Sequence, residues 1–366
     1  MRTFIGIGKG TPKTAVDEAV RGLSEPTMLL FIAPYQDIAE IATLLRERFP
    51  EVPCIGTIGT NLANGTVSEK NLALLDCFSL VELALAASYS DILNISSCPL
   101  AEIKSFEEKV SQINPGREDT VCIEYCTGAE EMLATTLYAC LKHKGVSMAG
   151  GTAFGAPDGK VGGVAYNGKV YEDTCVYALI KNTTGKIKVF KENIYKRQSE
   201  QTHFATKVNI KNRSIIELDG KPVADVYSKE VGIPKNKIVD NVLKNPMGRV
   251  VGDQVFISAM KELRENGELL NYKRINQNDC IYFLELDDYR KQEDMTRSYI
   301  KSEMKHISLV ISIDCAHRYL LYQSDNYLEE YAKNMAAMGA HIGVVGGGEQ
   351  YNNQHVNQTM VCAVFE

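Results

Sequence analysis

The chain has 366 residues, 45% hydrophobic and 23% charged, enough for two or three packed domains of ordinary globular composition. Its 46 acidic residues outnumber 40 basic ones for a net charge of −6, and no run of Lys and Arg makes a basic stripe, which argues against a dedicated nucleic-acid binder. The ten Cys are scattered without CxxC pairs, so they read as reduced thiols of a cytosolic protein and not as a disulfide or zinc framework.

MRTFIGIGKGTPK at the start has too short an apolar run, and no cleavage site, for a signal peptide. GIGKGTPKT follows a strand and opens a helix, but Lys9 is followed by Gly10 and not directly by Thr11, so the phosphate-loop spacing is missed. Thr11 and Pro12 read instead as an N-cap and first turn. LLFIAP from Leu29 is expected as a strand, DIAEIATLLRERF as an amphipathic helix and PCIGTIGT as a second strand. LALLDCFSLVELALAA, the most apolar stretch, is interrupted by Asp76 and Glu82 and does not span a membrane. The same order returns with VCIEYC from Val121, the helix AEEMLATTLYACLKHKG and VSMAGGTAFG. It returns again with LVISID from Leu309, the helix DNYLEEYAKNMAAMG and AHIGVVGGGEQ.

Apolar residues at helical spacing (Ile38, Ile41, Leu45; Leu133, Leu137, Leu141; Leu328, Tyr331, Met335) face a core in each copy. Strand, helix and strand imply a parallel pair with a right-handed crossover, and the alternating segments that follow look antiparallel. The expected architecture is α/β: mixed sheets built from three repeated β-α-β-hairpin units, with helices packed on the sheets. Cys122 and Cys126 share one face of their strand and read as core. Between the second and third copies, IKVFKENI and THFATKVNIKNRSIIELDG read as strands, and PKNKIVDNVLKN as a helix. Asp219-Gly220 reads as a hairpin turn and Pro222 as the first turn of a helix. The expected division is 1–219 and 220–366.

Each second strand ends in small residues: Gly56, Thr57, Gly59 and Thr60; Gly150, Gly151, Thr152 and Gly155; Gly346, Gly347 and Gly348. Such residues permit tight turns, and they also let a ligand approach backbone. Their recurrence points to a shared pocket rim off the carboxyl ends of the strands, where open α/β sheets bind ligands. Thr152 is a candidate on that rim.

Several stretches resemble FIST domains. GGGEQYNNQHVNQTMVCAVFE resembles the family's closing signature of Gly-Glu, a short loop and a His/Asn-x-x-Thr strand. ISIDCAHR resembles its strand ending in C-x-x-R, here Cys315 and Arg318. IIELDGKPVADVYSKEVG resembles its ELDGKPA-type hairpin and helix, and AGGTAFGAPDG followed by VAYNGKVYEDTCVYALI the close of its N-terminal half. The resemblance runs from Pro26 to the C-terminus, and its specificity lies in the order of many weak motifs. In one departure, GTIGTNLANG lacks the Gly-Glu that many relatives carry there. The resemblance implies a FIST N-terminal domain over 1–219 with two copies and a FIST C-terminal domain over 220–366 with the third. It implies a sensory input module of intracellular signalling, with small ligands such as amino acids. Some members bind haem and sense nitric oxide. No kinase, cyclase or chemotaxis output is seen in this sequence, so a separate signalling protein is the expected partner.

Alternation in HVNQTM puts His355, Asn357 and Thr359 on one face, and Glu349 enters the same region through the Gly-rich turn. These groups suit recognition of an ammonium or hydroxyl, or else face water. Arg318 just past its strand can grip a ligand carboxylate, or form a structural ion pair with Glu349 or Asp314. Arg249 is a further carboxylate grip. Cys315, at a strand end like Cys126, is a buried structural thiol or one half of an acyl-transfer dyad with His355. No HxH or HExxH spacing occurs, so no metal site is expected. Haem needs only one His or Cys, and Cys98 or His355 would be its ligand. The leading expectation is ligand binding without catalysis and without a cofactor. The alternatives are a thiol-dependent hydrolase or transferase, a haem-based gas sensor, and a scaffold that binds no ligand.

Overall fold

The computed structural model describes residues 1–85, 100–251 and 254–366. The end of the LALLDCFSLVELALAA stretch, from residue 86, and Cys98 lie outside the described residues. The chain forms two compact units. The first comprises Met1–Lys191, Arg297–His355 and Met360–Glu366; the second comprises Glu192–Thr296 and Val356–Thr359.

In chain order the first elements are β1 (Thr3–Gly8), α1 (Pro12–Ala19), β2 (Leu29–Ala33), α2 (Ile38–Arg48) and β3 (Cys54–Ile58). Then come β4 (Asn61–Ala63), β5 (Thr66–Ser68), β6 (Leu72–Cys77), β7 (Leu80–Leu85) and α3 (Leu100–Gln112). Next are β8 (Thr120–Cys126), α4 (Glu130–Lys142), β9 (Ser147–Thr152), β10 (Val164–Tyr166), β11 (Lys169–Tyr171), β12 (Cys175–Lys181) and β13 (Ile187–Asn193). The second unit holds β14 (Tyr195–Arg197), β15 (His203–Phe204), β16 (Lys207–Asn209), β17 (Ser214–Leu218), β18 (Lys221–Pro222) and α5 (Val223–Val231). It continues with β19 (Met247–Val251), β20 (Gln254–Ser258), β21 (Met260–Leu263), β22 (Leu269–Asn271) and β23 (Cys280–Leu286). After α6 (Tyr289–Glu303) follow β24 (Leu309–Cys315), α7 (Ala316–Ser324), α8 (Leu328–Ala336) and β25 (Ala340–Gly346). The last strands are β26 (Glu349–Tyr351), β27 (Gln354–Val356) and β28 (Thr359–Phe365).

The fold is mixed α/β. Three six-stranded sheets run β1-β6-β2-β3-β10-β11, β7-β12-β8-β9-β26-β27 and β13-β28-β24-β25-β4-β5. At the centre of each is one parallel pair, β2–β3, β8–β9 or β24–β25, as expected for strands joined through helices. An antiparallel strand closes each pair on its first-strand side: β6, β12 and β28.

The hairpins depart from the expectation. Each pairs with a sheet other than that of the strands it follows: β4 with β25, β10 with β3, and β26 with β9. At the first of these crossings the reason is visible. The backbone of Gly59 passes so close to β25 that a Cβ there would lie 2.5 Å from Val344 Cγ2, and Val345 N donates to Thr60 O at 2.9 Å. The chain therefore runs on to β25, and the free edge of β3 is taken by β10.

Apolar helix faces cover the sheets. Ile38, Ile41 and Leu45 of α2 pack with Leu29 and Phe31; Leu133, Leu137 and Leu141 of α4 pack with Cys122, Cys126 and Met148. Tyr331 and Met335 of α8 are buried, while Leu328 is half-buried. The third crossover differs from the sequence reading, which has one helix where the structure has two. β24 leads directly into α7, with Cys315 as its N-cap and Arg318 in its first turn.

The second unit has two small sheets, β14-β23-β19-β20 with β15 on β23, and β16-β17-β22-β21 with β18 on β17. The Asp219-Gly220 turn forms as expected, both residues at positive φ (52° and 72°) joining β17 to β18. PKNKIVDNVLKN is not a helix but one 3-10 turn, Lys235–Lys237, followed by further turns. Its asparagines bond locally instead: Asn241 donates to Tyr227 Oη at 3.1 Å and to Asn245 Oδ1 at 3.0 Å. Among the described residues no helix is long and apolar enough to cross a membrane.

Candidate ligand-binding cleft

The carboxyl ends of central strands from all three large sheets of the first unit meet at a cleft of about 450 Å³. β2 and β3 run out into Gln36, Gly59 and Thr60, and β9 runs out into Phe154 and Gly155. α7, which follows β24, contributes Tyr319, Leu320 and Gln323, and the bend between β5 and β6 contributes Glu69 and Lys70. This is where an α/β sheet offers backbone and side chains that are not committed to the ladder.

The cleft is polar on one wall and apolar on another. Tyr319 Oη donates to Glu69 Oε1 at 3.0 Å. Burial, and then Glu69, push the Tyr319 phenol up to about 12, so it remains a donor at neutral pH. Lys70 has no side-chain partner among the described residues and presents an ammonium. Phe154 and Leu320 are 44% and 47% exposed, a large apolar surface for two residues beside one opening. Sequence reasoning found Gly59, Thr60 and Gly155, but not Gln36, Glu69, Lys70, Phe154, Tyr319, Leu320 or Gln323. The one available signal was the charged SEK bend directly after a hairpin.

The residues singled out from sequence lie in several places. Thr152, at the end of β9, accepts from Gln350 Nε2 at 3.3 Å and donates to Glu130 Oε1 at 3.4 Å. Gln350 Nε2 also lies 3.2 Å from His355 Nδ1, so Thr152 and His355 are joined through one amide. Glu349 is buried on β26 opposite Gly151. Arg318 is fully buried: its Nε lies 3.3 Å from Asp314 Oδ1, and its guanidinium lies over the Tyr322 and Tyr331 rings at 5.1 and 5.2 Å. Tyr331 Oη donates to the same Asp314 oxygen at 2.7 Å. Cys315 is 1% exposed, and the histidine found beside it is His317, with Nδ1 3.9 Å from its sulfur. Burial pushes His317 down to about 4, which keeps its ring neutral.

HVNQT is not one strand. β27 ends at Val356, β28 begins at Thr359, and Gln358 between them has φ 56°, so the expected alternation is broken by a turn. His355 belongs to the first unit and Asn357 and Thr359 to the second. All three are buried, and Asn357 Oδ1 accepts from Ala259 N at 3.4 Å. Arg249, also in the second unit, pairs with Asp279 at 3.3 Å. Of the two candidate haem ligands, Cys98 lies outside the described residues, and His355 is 2% exposed with Gln350 against its ring. Among the described residues no group of His, Cys, Asp and Glu is arranged to hold a metal ion.

Comparison with solved structures returns only slight likeness. PurLQS from Thermotoga maritima aligns at 9% identity over 99% of this chain and 72% of that one, with a TM-score of 0.22. Phosphoribosylformylglycinamidine synthase II from the same organism aligns at 8% identity over the same shares, with a TM-score of 0.21. Comparison with curated proteins finds no match. Family models give a clear answer: the FIST N domain matches residues 27–221 and the FIST C domain residues 224–352. Matched in order over most of its length, the chain belongs to the FIST family, whose domains are associated with sensing in signal transduction.

Proposed function

We propose that this protein is a sensory module that binds a small molecule, an amino acid or related metabolite, in the first unit's cleft. The event is then passed to a separate signalling protein. One observation carries the reading: the cleft is walled by residues following strands of all three large sheets. An occupant would contact all three together, so its binding energy would act on their mutual arrangement. The size, about 450 Å³, falls among ordinary small-ligand pockets of roughly 300–1,000 Å³. Lys70 suits a carboxylate, Glu69 an ammonium, and Phe154 with Leu320 an apolar side chain. The burial of Cys315 weighs against the thiol-transfer alternative, because a nucleophile must be reached.

The test is thermal unfolding of the purified protein against a panel of amino acids and related metabolites, repeated with Lys70→Gln and Leu320→Asp. A ligand at 100 times its Kd should stabilise by about 2.7 kcal/mol. Both exposed substitutions should reduce that shift while leaving the unliganded protein unchanged. A panel without any hit, or a hit indifferent to both substitutions, rejects the cleft as the sensor site.

A further inference from the structure

We propose that Ser68 and Asn61 are positioning residues for the first unit's cleft, holding the bend at Glu69 and Lys70 so that it reads both charges of an apolar amino acid. The inference rests on the cleft being the sensor site, and adds which part of it does the reading. Neither residue lines the cleft itself. Ser68 ends β5, half-buried, and its Oγ accepts from Lys70 N and Asn71 N, both at 3.1 Å. Asn61 lies opposite Ser68 on β4 and is fully buried; its Nδ2 donates to Asn71 O at 2.7 Å.

These hydrogen bonds fix the backbone around Glu69 and Lys70, two exposed residues that belong to no strand. β4 pairs with the central strand β25, so the clamp ties the bend to a sheet. Tyr319 Oη donates to Glu69 Oε1 at 3.0 Å and draws that carboxylate toward α7. No ion pair joins Glu69 to Lys70 among the described residues, so the two charges stand side by side without neutralising each other. A carboxylate and an ammonium on neighbouring residues match the opposite charges carried by one α-carbon. Held in advance, they lose little freedom when the ligand arrives. Phe154 and Leu320, exposed on the same cleft, then take its apolar side chain.

The clamp has a cost that packing does not explain. Asn61 Oδ1 is shielded from water and has no hydrogen-bond partner among the described residues, where an apolar side chain of similar size would leave no such oxygen. What the amide does secure is the bend, through Asn71 O.

The experiment is isothermal titration calorimetry of the full chain with L-leucine and with its singly charged analogues, isocaproate and isoamylamine. L-leucine should bind saturably, and more tightly than either analogue. Ser68→Ala should weaken L-leucine by about tenfold, the usual effect of losing one or two hydrogen bonds, and narrow its margin over the analogues. Ser68→Thr, which keeps the hydroxyl, should restore both. A merely structural role would leave the margin unchanged. The Lys70 and Asn71 amides should also exchange with solvent faster in Ser68→Ala than in the wild type. An unchanged margin, or Ser68→Thr as weak as Ser68→Ala, overturns the proposal. So does the absence of saturable heat with L-leucine, although the cleft could still take another metabolite. If Lys70→Gln and Leu320→Asp leave L-leucine binding untouched, the cleft reading itself fails; if they weaken it and Ser68→Ala does not, only the clamp fails.

Discussion

The carboxylate of Glu124 lies where a side chain at position 150 would stand: a Cβ on Gly150 would come within 2.3 Å of Glu124 Oε1. The Cγ is 2.5 Å from the same point, so rotating the end of the side chain does not clear it. β8 and β9 pair with Glu124 opposite Gly150, and the same relation sets Phe31 over Gly56 and Ser312 over Gly343. A Cβ at Gly56 or Gly343 would come within 2.4 Å of the Phe31 ring or 2.3 Å of Ser312 Oγ. In each large sheet, then, a glycine on the second central strand makes room for a side chain of the first. Gly150→Ala should destabilise the protein by about 1–3 kcal/mol, the usual effect of overpacking a filled core. In urea unfolding, adding Glu124→Ala should cancel part of the Gly150→Ala loss. Purely additive effects would show that the two positions do not compete for space.

Glu124 also sets a pH dependence. Burial pushes its carboxyl up to about 8, and the Cys175 thiol donates to its Oε2 at 3.5 Å. The folded state therefore binds a proton that the unfolded chain, with an ordinary carboxyl near 4.3, releases. Its contribution to stability is fully present below the unfolded value and is lost as pH rises to about 8, by an amount on the order of 5 kcal/mol. Glu124→Gln keeps the shape and removes the titration. Its stability should fall less than that of the wild type from mildly acid to mildly alkaline pH, read from urea midpoints across the range. Parallel profiles would mean that Glu124 is already ionised in the fold.

The strands and most helices were legible because their signals are local. The apolar run LLFIA, the spacing of Ile38, Ile41 and Leu45, and the Asp219-Gly220 turn each report on a few neighbouring residues. α7 was missed because AHRYLLYQS follows β24 with no polar cap or breaker, and Cys315 takes the N-cap position without a side-chain hydrogen bond. The hairpin crossings were invisible for another reason: the partner of Leu62 is Gly343, and nothing local encodes that choice. The cleft shows both cases. Gly59 and Gly155 stood out as small residues at strand ends, but Glu69 and Tyr319 bond across 250 positions of sequence. Gly150 and Gly151 shared the same pattern for a packing reason, making room for Glu124 and Ile313.

His341 should govern part of the acid limb. It is fully buried, with Nε2 2.9 Å from Ser312 Oγ, and burial pushes it down to about 4. Ser312 also donates to Asp314 Oδ2 at 3.3 Å, which ties the imidazole to the Arg318 pair. With an ordinary histidine near 6.5 in the unfolded chain, the unfolded state binds more protons between the two values. The contribution is therefore present above about 6.5 and is lost as pH falls through about 4, by roughly 3 kcal/mol. His341→Asn, whatever its cost at neutral pH, should lose less additional stability on acidification than the wild type. His317, also pushed down to about 4, would account for the slope that remains. An unchanged slope in the variant would assign the whole acid limb to other groups.

Arg318 offers the sharpest separation between a structural and a ligand-gripping residue. Its guanidinium is enclosed by Asp314, Tyr322 and Tyr331, with no surface exposed. Removing it leaves a carboxylate buried beside two phenol rings, a change that typically costs about 3–5 kcal/mol. Replacing both members with neutral groups of similar volume is much milder, because no uncompensated charge remains. Arg318→Met should therefore be strongly destabilised, and Arg318→Met with Asp314→Asn should recover at least half of the loss. The double variant should also retain binding to whatever ligand the thermal panel identifies. A stable single variant that has lost only ligand binding would reverse the assignment and make Arg318 the carboxylate grip, with Asp314 as its support.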